Sequence, residues 1–239
     1  MIRFISDLHL NPAEPATTDA FLRFLDGPAR ECETLWILGD LFEYWAGDDD
    51  LENPFNAQMA DALRAVADSG VDIRVIVGNR DFLLGPVFAE RAGVSIVAEP
   101  YPIDLGGTPA ILMHGDSLCT DDLPYMQFRA MVRNPAWQAQ FLAQPLAVRR
   151  KIAEDLRAKS EMAKQEKDIG IMDVNAGAVE RAFEDNNAAV LIHGHTHRPA
   201  RHALNVGGRA CQRWVLADWH GKAQWLEWNG SELSAQKEQ

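Results

Sequence analysis

The sequence predicts an α/β fold with a site at its strand ends, and three observations carry that expectation. Short apolar runs of strand length recur along the chain, five of them end in Asp, Asn or His, and helical apolar spacing occupies intervals between them.

The elements follow in order. Ile2 to Ser6 runs into Asp7-Leu8-His9, and Thr34 to Leu38 into Gly39-Asp40. A helix is expected over Asn56 to Ser69, followed by a strand from Ile73 to Val77 that runs into Gly78-Asn79-Arg80-Asp81. Ile111 to Met113 leads to His114-Gly115-Asp116. From Asp121 to Asp168 the rhythm changes to consecutive helices. Pro124 and Pro135 suit first turns, Asn134 is a candidate N-cap, and Pro145 starts a third segment. Tyr125, Phe128 and Val132, then Val148, Ile152 and Leu156, recur at helical spacing. Asp173 to Glu184 reads as a helix before Val190 to Ile192, which runs into His193-Gly194-His195-Thr196-His197. The tail alternates over Ala223 to Trp228 and is expected to pair with Arg213 to Leu216 across a Gly221-Lys222 turn. Trp214, Trp219, Trp225 and Trp228 are expected to pack on sheets.

One strand followed by Asp or His means little, because turns favour Asp and Asn for their own hydrogen bonding. Five such endings imply one convergent site, since ligands of open α/β sheets gather beyond the strand ends. Two Asp, one Asn and four His form a mixed oxygen and nitrogen shell that suits Mn²⁺, Zn²⁺ or Fe, and the lack of thiolates argues against a structural zinc. A carboxylate such as Asp40 can bridge two cations. Paired ions about 3.5–4 Å apart activate water and clamp the oxygens of a phosphoryl displacement.

Composition sets bounds. A chain of 239 residues suits one α/β domain, with room for a small insertion. The net charge of −12 argues against a nucleic-acid partner, although Asp121 to Asp168 carries +2 against −14 elsewhere. Cys32, Cys119 and Cys211 form no metal-spaced pair and fit a reducing compartment. Met1-Ile2-Arg3 enters a strand at once and no apolar stretch approaches the roughly 18 residues of a membrane span, so a cytosolic or membrane-peripheral protein is expected. Asp48-Asp49-Asp50 reads as a solvated loop, and Arg149-Arg150-Lys151 as either a solvated face or a contact with anionic lipid. His202 and His220 read as structural or surface groups.

The strings DLHL, ILGDLFEYW, GNRDFLLG, MHGDSLCTDD and LIHGHTHRP resemble, in that order, the five signature blocks of the calcineurin-like metallophosphoesterases. The resemblance is to the branch that hydrolyses UDP-2,3-diacylglucosamine in lipid A biosynthesis of Gram-negative bacteria, and it extends from residue 2 to about residue 220. It implies two mixed β-sheets flanked by helices, with residues 1–120 and 169–239 as the core and residues 121–168 as a helical lid for acyl chains. Met126, Met131, Trp137, Phe141, Leu142 and Leu146 would face lipid there, with Phe82 and Leu83 at the acyl entrance.

The resemblance also implies roles. Asp7, His9 and His197 would hold one Mn²⁺, Asn79, His114 and His195 a second, and Asp40 would bridge the two. His193 would not be a ligand, while Asp81 and Asp116 would orient the groups around the ligands. Asn79, Arg80, Asp122, Ser160, Lys164, Lys167 and His195 would contact the glycolipid nucleotide, with Arg157 as a further phosphate contact. Asp40, Arg80 and His195 would carry catalysis. Arg80 stands where much of the superfamily has a histidine; a guanidinium stabilises phosphate charge and donates no proton, which suits a sugar 1-phosphate leaving group. The implied reaction is water attack on the α-phosphorus, releasing UMP, by a monomer on the cytoplasmic face of the inner membrane. The residues alone leave open a phosphodiesterase or phosphatase of a soluble substrate, and a metal-holding module without turnover.

Overall fold

The computed structural model describes residues 1–166 and 173–238, with the backbone alone for 159–166. Two sheets pack face to face. The first has the order β11 (Leu233–Lys237), β10 (Gln224–Trp228), β1 (Ile2–Ile5), β2 (Thr34–Leu38), β3 (Asp72–Ile76), β4 (Ser95–Val97). Strands β1 to β4 run parallel, and β10 and β11 are antiparallel additions. The second sheet has the order β5 (Tyr101–Leu105), β6 (Thr108–Leu112), β7 (Val190–His193), β9 (Arg209–Val215), β8 (Ala200–Val206), with β6, β7 and β9 parallel.

Alternation along the central strands produces the layers, because successive side chains point to opposite faces and here both faces are buried. Leu35 and Ile37 point to helices α1 (Pro15–Asp26), α2 (Pro54–Ala67) and α3 (Pro86–Ala92) with Phe21, Phe24, Leu63 and Phe88. Trp36 and Leu38 point the other way, into the seam between the sheets, where they meet Leu112, Val190 and Ile192. Helix α7 (Ala176–Asp185) covers the outer face of the second sheet through Val179 and Phe183. The order is helix, sheet, sheet, helix, as the resemblance implied.

Helices α4 (Leu123–Val132), α5 (Pro135–Leu142) and α6 (Leu146–Glu166) interrupt the chain between β6 and α7. Their starts follow the sequence: Asp122 accepts from Tyr125 N at 3.1 Å, and Asn134 accepts from Ala136 N at 2.8 Å. All five arginines of this segment face the core. Arg129 bonds Asp116 and Glu99 at 2.8 Å each, and Arg133 donates to the carbonyls of Val77 and Gly78. Arg149 reaches the Ala46 carbonyl and Asp49, Arg150 reaches Asp50, and Arg157 reaches Glu43.

Two expectations are corrected by these contacts. Asp48-Asp49-Asp50 is not a solvated loop: Asp48 accepts from the backbone N–H groups of Gly85, Val87 and Phe88 at the start of α3, and Asp50 is 2% exposed. Arg149, also 2% exposed, is an anchor on Asp49 rather than part of a surface face, Arg150 bonds Asp50 with its side chain 36% exposed, and Lys151 is exposed and paired with Asp155. The tail hairpin is corrected as well. β10 pairs with β1 and β11, and β9 pairs with β7 and β8 in the other sheet. Alternation specified the strand, and the partner that takes up its edge hydrogen bonds, β1, lay more than two hundred residues away. Trp225 packs on Phe24, Trp214 and Trp228 join the seam, and Trp219 is buried in a loop against Phe21 and Phe24.

Candidate metal centre and active site

The ends of β1, β2, β3, β6 and β7 converge, and the backbone shows how. The β1–β2 pairing continues past both strands as a ladder of single bonds: Asp7 N to Gly39 O, His9 N to Asp40 O, Leu10 N to Leu41 O, and Glu43 N to Leu10 O. Among the described residues, six other than glycine have positive φ, and five of them are Asp7 (55°), His9 (51°), Asp40 (53°), His195 (67°) and His197 (53°). A left-handed backbone costs about 1–2 kcal/mol per residue. Such strain persists where surrounding structure fixes it for function. Glycines allow the strand ends to approach: a Cβ on Gly78 would collide with Asp40, and one on Gly194 with Asp7 and Ser6.

Donor atoms of Asp7, His9 and His197 lie within 4.8 Å of one another, as do those of Asp7, Asp40 and His114. His9 Nε2 and His197 Nε2 are 3.3 Å apart. Asp40 presents its two oxygens to different imidazoles, Oδ2 at 3.9 Å from His9 Nε2 and Oδ1 at 3.7 Å from His114 Nε2. Asn79 Oδ1 is 2.9 Å from His114 Nε2. The His195 ring lies edge-on to that of His114, 5.1 Å between centroids, and its backbone N–H donates to Asp7 Oδ2. All seven residues named from the sequence are therefore in one cluster.

The electrostatics suit a cation. Burial opposes charging His114, yet the carboxylates of Asp40, Asp7, Asp116 and Glu99 outweigh it and raise its pKa to about 9. Burial likewise opposes charging His197, and its bonds to Asp218 and Asp7 raise its pKa to about 10. His195 falls to about 4, through burial and then the neighbouring His114. The second nitrogen of each facing imidazole meets a fixed group: His9 Nδ1 lies at ion-pair distance from Glu43 Oε2, 3.1 Å, without hydrogen-bond geometry, His197 Nδ1 faces Asp218 Oδ2 at 3.2 Å, and His114 Nδ1 donates to Leu38 O at 2.8 Å. Those contacts leave the three Nε2 atoms turned inward, the arrangement that metal-binding histidines require. Buried Asp7 Oδ1 lies 3.3 Å from His197 Nε2 and makes no other close polar contact among the described residues. The donor set fits a divalent cation.

The remaining residues have defined places. Asp81 accepts from Leu41 N and Gly78 N at 2.7 Å each, locking the β2 and β3 ends together; burial and then the charge of Asp40 push its pKa up. Asp116 accepts from Tyr125 Oη and Arg129, tying α4 to the His114 loop. His193 points away from the cluster, with Nδ1 on the Gly194 carbonyl and Nε2 on Arg213. Cys119 is buried, which pushes its thiol up to about 12, so it stays protonated and no nucleophile forms there. His220 bonds Asp218 on the surface.

A cavity of about 520 Å³ opens from the cluster beneath α4 to α6. Its lining includes the polar residues His9, Asp40, Asn79, Arg80, Asp122, Arg157 and His195 and the apolar residues Phe82, Leu83, Phe128, Trp137, Phe141 and Leu156. Trp137 stacks on Phe141 at 5.0 Å and leans on Phe82. Of the six side chains expected to face lipid, Trp137 and Phe141 line this cavity. Met126, Leu142, Met131 and Leu146 do not, and Met131 and Leu142 are exposed on the outer surface. The side chains of Ser160 and Lys164, and all of Lys167, lie outside the described residues.

Three groups at the site escaped the sequence reading as functional residues. Tyr125 stacks on His195 at 5.9 Å while its hydroxyl donates to Asp116. Glu43 is buried beside His9, Arg80 and Arg157; burial favours its neutral form, and the bond to His9 with the charges of the two arginines outweighs it and lowers its pKa. Asp218 orients His197 from the loop before β10. Glu43 follows Asp40 by three residues, a spacing that offered a clue; Asp218 offered none.

The chain belongs to the calcineurin-like phosphoesterase family, which residues 1–199 match. More particularly, it is 55% identical over 95% of its length, and 93% of the relative's, to a protein of Aromatoleum aromaticum named UDP-2,3-diacylglucosamine hydrolase. Proteins of the same name from Stenotrophomonas maltophilia strain K279a and Cellvibrio japonicus are 52% and 50% identical over 91% and 97% of this chain, and 90% and 96% of theirs.

Proposed function

We propose that this protein hydrolyses the pyrophosphate bond of UDP-2,3-diacylglucosamine by water attack on the α-phosphorus, giving UMP and 2,3-diacylglucosamine 1-phosphate for lipid A biosynthesis. The observation that carries the reading is a cavity lined by two kinds of group, the polar side chains of the candidate metal cluster and an aromatic and aliphatic set that includes Phe82, Trp137 and Phe141. That division matches an amphiphile whose diphosphate and acyl chains must be held at once, and the named relatives act in their names on such a molecule.

In this reading Asp7, His9 and His197 would hold one Mn²⁺ and Asn79, His114 and His195 a second, with Asp40 shared between the two sets. The ions, when bound, supply Lewis-acid activation of water and neutralisation of phosphate charge. Arg80 stabilises charge on the phosphates, since it lines the cavity and its backbone N–H is fixed on Asp40 Oδ1 at 2.9 Å. Asp122, Arg157, Ser160, Lys164 and Lys167 complete the contacts to the nucleotide and sugar phosphate. Residues 121–168 act as a lid over the acyl chains, on a core of residues 1–120 and 169–239. The protein works as a monomer on the cytoplasmic face of the inner membrane; among the described residues no helix is long and apolar enough to cross a membrane.

Substituting the apolar wall tests the lipid half of this reading. Acyl burial contributes about 0.8 kcal/mol per methylene. Trp137→Asp should therefore raise KM for the diacylated substrate by about tenfold or more and leave hydrolysis of a soluble, unacylated nucleotide diphosphate sugar nearly unchanged. Equal impairment of both, in folded protein, would make α5 a structural element and remove the physical case for a lipid substrate.

A further inference from the structure

We infer that Glu43 is a positioning residue that couples the helices over the cavity to the metal-ligand cluster, holding His9 and Arg157 with one carboxylate. The inference deepens the proposed metal site and rests on its assignment of His9 as a ligand. Glu43 is placed by backbone: its N–H donates to Leu10 O at 3.1 Å, on the ladder that also fixes His9 through Asp40 O. The two side chains therefore stand side by side at adjoining strand ends.

The two oxygens of Glu43 serve different partners. Oε2 faces His9 Nδ1 at 3.1 Å; Oε1 receives Arg157 Nε and lies 3.8 Å from Arg80 Nη1. The carboxylate is 9% exposed in its side chain, so its attraction to Arg157 is weakly screened on one side, although the guanidinium itself is half-exposed. Comparison with the other two imidazoles shows what is particular here. His114 is held by a core carbonyl, and His197 by Asp218 in the loop before β10. Among the described residues, Glu43 alone of these three holding groups also meets α6. A motion of α6 that withdraws Arg157 therefore removes a charge partner from the group that orients His9, and an ordered His9 ring favours the Glu43 orientation that receives Arg157. Such coupling is reciprocal by linkage.

Glutamine and alanine separate the two contacts. Glu43→Gln keeps a carbonyl oxygen beside His9 Nδ1 and removes the charge that Arg157 meets. Hydrogen exchange over residues 146–158 should become about five- to tenfold faster, the size expected for one partly exposed charged pair. Mn²⁺ affinity, measured by calorimetry, should stay near the wild-type value. Arg157→Gln should reproduce the faster exchange with unchanged Mn²⁺ affinity. Glu43→Ala removes both contacts and should also weaken Mn²⁺ binding by about 10–100-fold, the usual loss when a histidine ligand loses its outer partner. Wild-type exchange rates in both glutamine variants would overturn the link to α6, and wild-type Mn²⁺ affinity in folded Glu43→Ala would overturn the hold on His9. Neither readout involves a substrate, so failure to hydrolyse the glycolipid would count against the proposed reaction and leave this test intact.

Discussion

Asp40→Asn should lower turnover by more than about 10³-fold and leave the protein with one Mn²⁺ fewer per chain. The substitution preserves shape, and its Oδ1 still accepts the Arg80 N–H that meets Asp40 at 2.9 Å. What it removes is the negative charge between two imidazole sets, with one oxygen 3.9 Å from His9 and the other 3.7 Å from His114. Two divalent cations held without that charge repel each other in a buried site, where water screens little. A factor of 10³ corresponds to about 4 kcal/mol of transition-state stabilisation. Elemental analysis beside a rate measurement checks both parts. An active variant with two ions bound would show that Asp40 is not the bridge.

Arg80→Ala should lower kcat by about 10²–10³, the usual loss of one electrostatic donor, while both ions remain bound. The Arg80 side chain is 10% exposed and lines the cavity, so a charge there acts in a poorly screened environment. Because a guanidinium interacts more strongly with phosphate as charge develops, the loss should fall on kcat more than on KM. Lysine should restore only part of the rate, since a point charge lacks the planar fork that meets two phosphate oxygens. A loss confined to KM would assign Arg80 to uniform binding of the substrate. Loss of metal would make its role structural.

Much of the site was legible because its chemistry is local. Each candidate ligand lies within five residues of the end of an apolar run, so residue type and strand end appear in one short string, and strand ends of such folds converge. The left-handed backbone at Asp7, His9, Asp40, His195 and His197 also belongs to residue types that tolerate it better than most, but no string signals that it will occur. What escaped depends on partners distant in sequence. Asp48-Asp49-Asp50 looked solvated because the arginines that answer Asp49 and Asp50 stand a hundred residues later. The pairing of Ala223 to Trp228 was misread because alternation marks a half-buried strand and is silent about its neighbour. Glu43 and Asp218 act through histidines brought to them by the fold, and a carboxylate in a loop has no periodicity to betray it. In α4 to α6 the apolar positions identified helices correctly, yet only Trp137 and Phe141 of the six expected lipid-facing residues line the cavity, since these helices carry apolar side chains on more than one face.

If the proposed centre directs water to the α-phosphorus of a diacylated UDP-sugar, isotope placement will show it. Purified protein with Mn²⁺ should be incubated with UDP-2,3-diacylglucosamine in ¹⁸O-enriched water and the products weighed by mass spectrometry. UMP carrying one ¹⁸O and an unlabelled 2,3-diacylglucosamine 1-phosphate are expected. Label in the sugar phosphate would place attack on the β-phosphorus and reverse the assigned orientation, and absence of UMP would contradict the proposed reaction altogether.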